Sequence, residues 1–265
     1  MLNWTKFSPW VIMIIVENIW KNFNDKQVLA GVDLKINDGE TMVVLGKSGV
    51  GKSVLLRLIL RLMDPDRGRI TIDNKIIGTL QRREMNTIRL RFGMLFQSAA
   101  LFDSMNIFDN VSIALRTLTK LTEIEIREKV DYCLNMVGLQ GVEKLFPAEL
   151  SGGMRKRVGL ARAVAMDPAY LLYDEPTTGL DPVMTESIAQ IIRKLQRELN
   201  VSSIVVTHDL QTAFTVADRM ALLHEGQIQF QGTVDQIRNT DDIIVREFIR
   251  GYSRKHNLEM HQIDD

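Results

Sequence analysis

The chain has 265 residues, of which 45% are hydrophobic and 25% are charged, values that are typical of a globular domain. Lys and Arg together number 33, as do Asp and Glu, so the formal net charge is zero and argues against a partner held mainly by a nucleic acid backbone. The most apolar run, Val11–Val16, is far shorter than the ~20 residues of a membrane-spanning helix, so any membrane role is expected to come through a partner.

In the first part of the chain, predicted strands alternate with turns, and helical patterns follow. Its β-branched, apolar runs predict strands at Val11–Val16, Val32–Ile36, Thr41–Leu45 and Arg69–Ile72. A glycine-rich stretch follows the third of these strands and leads directly into a helix predicted at Lys52–Met63. Helical patterns dominate from about Ser98 to Leu150, as in Glu123–Val137, where Cys133 shares an apolar face and is predicted to be a core residue.

Strand–helix alternation returns in the last third of the chain. Strands are predicted at Tyr170–Tyr173, Ser203–Thr207, Met220–His224 and Gln227–Gln231, the last two joined as a hairpin. Helices are predicted at Pro182–Leu199 and Leu210–Ala217. This order predicts an α/β fold with a mostly parallel sheet covered on both faces and a helical lobe inserted near the middle.

The run Gly46-Lys47-Ser48-Gly49-Val50-Gly51-Lys52-Ser53 matches the phosphate-binding pattern G-x-x-x-x-G-K-[ST], with a strand before it and a helix after it. Its glycines let backbone amides turn toward phosphates, and the helix N-terminus adds its dipole. Lys52 is expected to reach the β- and γ-phosphates, and the Ser53 hydroxyl to ligate Mg²⁺. The predicted nucleotide contacts are Gly46, Ser48, Gly49, Val50, Gly51, Lys52, Ser53 and Val54.

Two carboxylates end the apolar strand Tyr170–Tyr173. Alone, two acids after a strand usually form a helix cap or a solvated turn. Open α/β sheets place ligands at the carboxyl ends of their strands, so these acids can instead lie beside the phosphate loop. We therefore predict that Asp174 holds Mg²⁺ and that Glu175 polarises the attacking water as general base.

The run Leu150-Ser151-Gly152-Gly153-Met154, followed by Arg155-Lys156-Arg157, resembles the signature motif of ABC ATPases. The resemblance extends over nearly the whole chain. It implies that Ser151, Gly152 and Gly153 contact the γ-phosphate bound by the opposite subunit of a head-to-tail dimer. The structural alternative is that Ser151 simply caps the N-terminus of a helix. The two interpretations are compatible, because a capped helix end can also bind an anion. Met154 replaces the usual Gln and cannot donate a hydrogen bond.

Other family motifs appear in order. The resemblance implies that Phe23 stacks on adenine, that Gln97 lies near Mg²⁺ and the permease, and that His208 contacts the γ-phosphate. Gly179-Leu180-Asp181 matches the D-loop. The expected catalytic residues are Lys52, Gln97, Glu175 and His208, and the expected Mg²⁺ ligands are Ser53, Gln97 and Asp174.

The resemblance also implies an architecture. A RecA-like P-loop core with an N-terminal antiparallel β subdomain is expected over residues 11–97 and 151–231. A helical subdomain is expected over about 98–166, within one ATPase domain spanning 11–250, and a polar tail at 251–265. The tail from about Thr233 has three open roles: dimerisation, regulator binding or capping of the sheet.

Within the ABC ATPases, the stretch Phe96–Ser104 and the run that begins at Ser151 look like the Mla/MCE-type phospholipid transport ATPases. This implies ATP and Mg²⁺ as cofactors, a second copy of the chain, a membrane permease, an MCE-domain protein and a STAS-domain regulator as partners. It implies a location on the cytoplasmic face of the inner membrane, held through the permease. The alternatives are an importer ATPase for a small polar solute such as an amino acid, a soluble ATPase of repair or translation, and a non-catalytic nucleotide-sensing scaffold.

Overall fold

Residues 13–251 are described by a computed structural model, and two sheets organise them. An antiparallel sheet of four strands has the order β2-β1-β4-β5. Its strands are β1 (Ile14–Phe23), β2 (Lys26–Ile36), β4 (Arg67–Ile72) and β5 (Lys75–Ile76). A tight turn with Asn24 in the left-handed region joins β1 to β2, which pair from Phe23 opposite Lys26 to Ile14 opposite Ile36. Residues 11–12 of the first predicted strand lie outside the described part.

The second sheet has six strands in the order β10-β9-β3-β8-β7-β6. They are β3 (Thr41–Leu45), β6 (Phe92–Leu95), β7 (Tyr170–Asp174), β8 (Ser202–Thr207), β9 (Arg219–His224) and β10 (Gln227–Thr233). All neighbours are parallel except β9 and β10, which form the predicted hairpin. The prediction of a mostly parallel sheet is confirmed.

Eight helices are delimited in this part of the chain, and they cover both faces of the six-stranded sheet. They are α1 (Lys52–Ile59), α2 (Arg82–Arg89), α3 (Ile107–Leu118), α4 (Glu123–Met136), α5 (Gly152–Val164), α6 (Pro182–Leu199), α7 (Leu210–Val216) and α8 (Val234–Arg238). Residues 243–251 are also helical. Cys133 is fully buried in α4, as predicted, and burial raises the pKa of its thiol to about 12.

Helix α1 ends four residues before its predicted end at Met63. The Arg61 amide bonds to the Leu58 carbonyl and the Leu62 amide to the Arg57 carbonyl, which are the two bonds of a Schellman helix end. Arg61 occupies the left-handed position that glycine usually fills. The sequence therefore carries no glycine that would mark the stop.

The hydrophobic core has two parts, one on each side of the six-stranded sheet. Along β3, Val43 and Leu45 belong to the part that includes residues of α3 to α7, whereas Met42 and Val44 belong to the part with α1 and the antiparallel sheet. This alternation follows from the two-residue period of a strand. Ile237 and Val245 are buried in the first part, so the segment after β10 packs on the core. Residues 252–265 of the predicted tail lie outside the described chain.

Candidate functional site

The phosphate loop connects the carboxyl end of β3 to the N-terminus of α1. It lies tightly against neighbouring strands: a Cβ on Gly46 would come 2.6 Å from the Leu223 carbonyl oxygen, and Gly51 has a φ of +113° that favours glycine. Ser48 and Gly49, at the tip, are exposed. The loop is thus fixed at its two ends and open at the tip.

The N-terminus of α1 differs from those of the six helices α3 to α8. Each of those begins with a side chain that accepts an amide hydrogen bond: Asn106, Thr122, Ser151, Asp181, Asp209 and Thr233. Helix α1 begins at Gly51 with no side-chain cap and no acidic residue in its first turn. Its first amides and its dipole therefore favour an anion supplied from outside the helix.

Residues from α1 meet the carboxyl end of β7. Ser53 Oγ donates to Asp174 Oδ1 over 2.6 Å, and Lys52 Nζ lies 3.0 Å from Glu175 Oε1. Lys52 is only 5% exposed, and its ammonium also donates to the carbonyl oxygens of Gly46 (2.8 Å) and Lys47 (3.1 Å). Phosphate loop and acidic pair therefore form one connected group.

The second carboxylate oxygen of Glu175 faces the end of β8. His208 Nδ1 lies 2.9 Å from Oε2, and the Thr207 hydroxyl lies 3.3 Å away. Glu175 has a left-handed backbone at φ 48°, and its amide bonds to the Val206 carbonyl over 2.9 Å. A non-glycine residue in this region costs on the order of 1–3 kcal/mol, and such strain often occurs at functional sites.

The charge state of Glu175 follows from opposing influences. Burial raises the pKa of its carboxyl, whereas the Lys52 ammonium and His208 lower it, and the net result lies below the ordinary value. Glu175 is therefore ionised at neutral pH and can accept a proton. Its Lys52 contact occupies one of the two oxygens that could do so.

An oxygen donor set suits a magnesium ion here. Residues 13–251 contain no group of three or more His, Cys, Asp or Glu side chains arranged to hold a metal. Magnesium needs few protein ligands, because substrate phosphates and water complete its shell. The Ser53 hydroxyl and the Asp174 carboxylate fit that requirement at the end of β7. The Gln97 side chain is exposed at the end of β6.

Other predicted residues lie apart from this group. Phe23 ends β1 with 43% of its surface exposed, and the Lys21 ammonium lies 5.8 Å from its ring centre. Ser151 is exposed, and its hydroxyl accepts from the Met154 amide over 3.2 Å. Within residues 13–251, no hydrogen bond or ion pair links the side chains of Phe23 or Ser151 to Lys52 or Glu175.

Lys156 belongs to the site although sequence reasoning gave it no role. It is 5% exposed, and its ammonium donates to the Gln97 carbonyl and, over 3.4 Å, to the Glu175 carbonyl. Burial lowers its pKa to about 8, against the opposing influence of Asp174 and Glu175. The sequence pattern that could have indicated its burial is the helical period. Gly159, Leu160 and Ala163 share its face of α5, are small or apolar, and are buried.

Comparison with known proteins agrees with this arrangement. A family model described as "ABC transporter" matches residues 29–178. The probable ribonucleotide transport ATP-binding protein mkl of Mycobacterium leprae is 43% identical over 92% of this chain and 70% of its own length. The intermembrane phospholipid transport system ATP-binding protein MlaF of Haemophilus influenzae is 39% identical over 91% of both chains. The chain belongs to the ABC transporter family.

The fold of this ABC cassette is found in solved structures. The dimeric bacterial ABC transporter cassette MJ0796 is 31% identical, with a TM-score of 0.76 over 83% of this chain and 98% of that one. The same cassette has a dimeric structure of a post-hydrolysis state bound to ADP and Pi, with a TM-score of 0.75. The predicted ABC-type P-loop fold is confirmed, and the chain is the ATP-binding, ATP-hydrolysing subunit of a transporter. ABC cassettes dimerise and work with a membrane permease; residues 13–251 here include no helix long and apolar enough to cross a bilayer.

Proposed function

We propose that this ABC ATPase energises phospholipid transport across the cell envelope by hydrolysing MgATP in a head-to-tail dimer bound to a permease. The observation that carries the ATPase assignment is the Glu175 carboxylate, buried, ionised and held between Lys52 and His208. The phospholipid assignment rests on the likeness to MlaF, which extends over 91% of both chains.

We assign roles to the site from its contacts. Gly46 and residues 48–54 of the phosphate loop, Lys52 among them, bind the phosphates, and Phe23 stacks on the adenine. Ser53, Asp174 and Gln97 would hold Mg²⁺, which would supply charge neutralisation at the phosphates. Ser151, Gly152 and Gly153 act on the nucleotide of the second copy; Ser151 is exposed, and no hydrogen bond within residues 13–251 links its side chain to Lys52 or Glu175. Residues 98–166 form the helical subdomain of a single domain spanning 11–250.

The Lys52 ammonium lies between the phosphate loop and Glu175 Oε1, which is 3.0 Å away. It can therefore neutralise charge on the phosphates beside the carboxylate that accepts the proton of the attacking water. His208 stays on Oε2 and orients the carboxylate. Phosphoryl transfer is mostly positioning and charge stabilisation, so an isolated monomer is expected to hydrolyse ATP slowly.

The proposed partners follow from the MlaF likeness. They are a polytopic permease, an MCE-domain lipid-binding protein and a STAS-domain regulator, with the ATPase on the cytoplasmic face of the inner membrane. A second candidate substrate class is ribonucleotides, favoured by the mkl relative and its 43% identity. We prefer phospholipid because the chain spans 91% of MlaF but only 70% of mkl.

Two measurements on Glu175→Gln test the proposal. The amide cannot accept the water proton, so phosphate release is expected to fall on the order of 100-fold or more while ATP stays bound in a dimer. The matched control is Glu225→Gln, a carboxylate that is 88% exposed and has nearly the same backbone φ, and its turnover should stay within about twofold of wild type. Full turnover by Glu175→Gln would remove the general-base role.

The substrate class is tested by what co-purifies with tagged Glu175→Gln protein from mildly solubilised membranes. A permease, an MCE-domain protein and phospholipid support the proposal. A permease with a solute-binding protein would support the transport ATPase assignment and contradict the phospholipid assignment. Ribosomal or repair proteins without a permease overturn transport.

A further inference from the structure

Helix α5 holds the segment that follows β6 at three backbone carbonyls. Lys156 donates to the Gln97 carbonyl, and the guanidinium of Arg162 donates over 2.8 Å to the carbonyls of Ala99 and of Ala100. Both alanines have left-handed backbones, at φ 61° and 47°. Two consecutive non-glycine residues in this region are strained, so the segment keeps its shape only because its surroundings fix it.

Lys156 differs from Arg162 in reaching a second element. Its ammonium also lies 3.4 Å from the carbonyl oxygen of Glu175, and its charge interacts with the carboxylates of Asp174 and Glu175 at the end of β7. An ammonium has three donors and no acceptor, so one buried group can bind two carbonyls at once. Lys156 thereby joins α5, the Gln97 segment and the residue proposed as general base.

The contact fixes the orientation of the Glu175 peptide group. On one side of this strained residue the Glu175 amide bonds to the Val206 carbonyl over 2.9 Å, and on the other the Glu175 carbonyl accepts from Lys156. With both peptide groups held, the side chain has a fixed starting direction toward Lys52 and His208. A shift of about 1 Å in a reacting group can cost on the order of 100-fold in rate.

We propose that Lys156 is a positioning residue for ATP hydrolysis. It holds the backbone of Gln97 and of Glu175 in place relative to α5. The proposal rests on the proposed function, because the N-terminus of the same helix carries Ser151, Gly152 and Gly153. Movement of α5 when two copies close on ATP would then be passed by Lys156 to the carboxylate of its own subunit.

The test compares steady-state hydrolysis and ATP binding by the full chain in four variants. Lys156→Met keeps the side-chain length and removes every donor. Lys156→Arg keeps the charge and the donors. Arg162→Met is the matched control, since it releases the same segment but has no contact with Glu175. If Lys156→Met unfolds below the assay temperature, Lys156→Gln takes its place; its side chain is shorter, has no charge and carries one amide NH₂ group.

We expect Lys156→Met to lower kcat by about 10- to 100-fold with KM for ATP changed less than about threefold, because positioning acts after binding. Lys156→Arg should recover at least about tenfold of that loss, and Arg162→Met should lose less than about fivefold. A kcat for folded Lys156→Met within threefold of wild type, a rise in KM alone, or an equal loss in Arg162→Met would each overturn the proposal.

Wild type and Glu175→Gln are measured in the same assay, so the two proposals fail differently. Absent wild-type turnover, or full turnover by Glu175→Gln, removes the proposed hydrolysis mechanism and the Lys156 role with it. Normal behaviour of these two proteins together with an active Lys156→Met removes the Lys156 role alone.

Discussion

Two helix N-termini to which we assign phosphate contacts are built in opposite ways. Helix α1 begins at a glycine with no side-chain cap, and the next two residues, Lys52 and Ser53, contact Glu175 and Asp174. Helix α5 begins at Ser151, which caps it, is exposed and lies apart from that group. The N-terminus of α1 is thus in contact with side chains of its own subunit, whereas the N-terminus of α5 begins at an exposed residue.

This contrast between the two helix ends assigns a different role to the second copy at each. In the proposed function the end of α1 binds the nucleotide of its own subunit, whereas the exposed end of α5 acts on the nucleotide of the second copy. The dimeric MJ0796 cassette, 31% identical to this chain, shows that such cassettes pair. Substitutions at the two helix ends should therefore fail in different ways, and the following predictions separate them.

The largest effect is expected at α1. Lys52→Met removes the buried ammonium that bridges the phosphate loop and Glu175, so hydrolysis should fall by about 100- to 1000-fold, with weaker binding of a fluorescent ATP analogue. The control is Lys47→Met. The Lys47 side chain is exposed in the same loop, so this variant should keep hydrolysis and ATP-analogue binding within about twofold of wild type. Equal losses in the two variants would contradict the role of Lys52.

A mixing experiment tests the role of α5. Ser151→Arg places a long cation at the exposed helix end and should abolish hydrolysis with little change in nucleotide binding by the monomer. When it is mixed with the equally inactive Lys52→Met chain, each mixed dimer contains one intact composite site. Random pairing predicts recovery of about a quarter of wild-type activity. No recovery, with mixed dimers demonstrated by mass spectrometry, would contradict the shared site.

The smallest effect is expected at Met154. This side chain is partly buried against the core, one turn into α5. Met154→Gln adds a donor at each of the two composite sites of the dimer, and two hydrogen bonds of about 1 kcal/mol each should strengthen ATP-dependent dimerisation about 30-fold in sedimentation measurements. Met166→Gln, beyond the far end of the same helix, is the control and should not strengthen it. Unchanged dimerisation by Met154→Gln would show that the missing contact has no effect.

Much of the fold could be predicted because its patterns are local. The helix Pro182–Leu199 has the predicted bounds, since an aspartate cap, a proline in the first turn and apolar periodicity all lie within one stretch. Strands β1 and β2 extend beyond their predicted ends because the exposed Asn22 pairs with Gln27, and Phe23 with Lys26, across the turn. Pairing between strands, rather than residue type, decided those boundaries.

The candidate site divides in the same way. Gly46–Ser53 and Tyr170–Glu175 are contiguous, so their sequence alone predicted a phosphate loop and an acidic pair. The Lys52–Glu175 ion pair required the tertiary structure, because it depends on β3, β8 and β7 lying side by side with their carboxyl ends together.

Lys156 marks the limit of the sequence. The run of three basic residues from Arg155 to Arg157 indicates a solvated surface, whereas the small or apolar Leu160 and Ala163 on the same helix face indicate burial, so the two sequence patterns conflict. Only the packing of α5 against β6 buries the Lys156 ammonium and brings to it the carbonyls of Gln97 and of Glu175, the residue after β7. The amino-acid sequence specifies the chemical groups of the chain. Which of them are buried and in contact depends on tertiary packing, because burial requires neighbours that are distant in the chain.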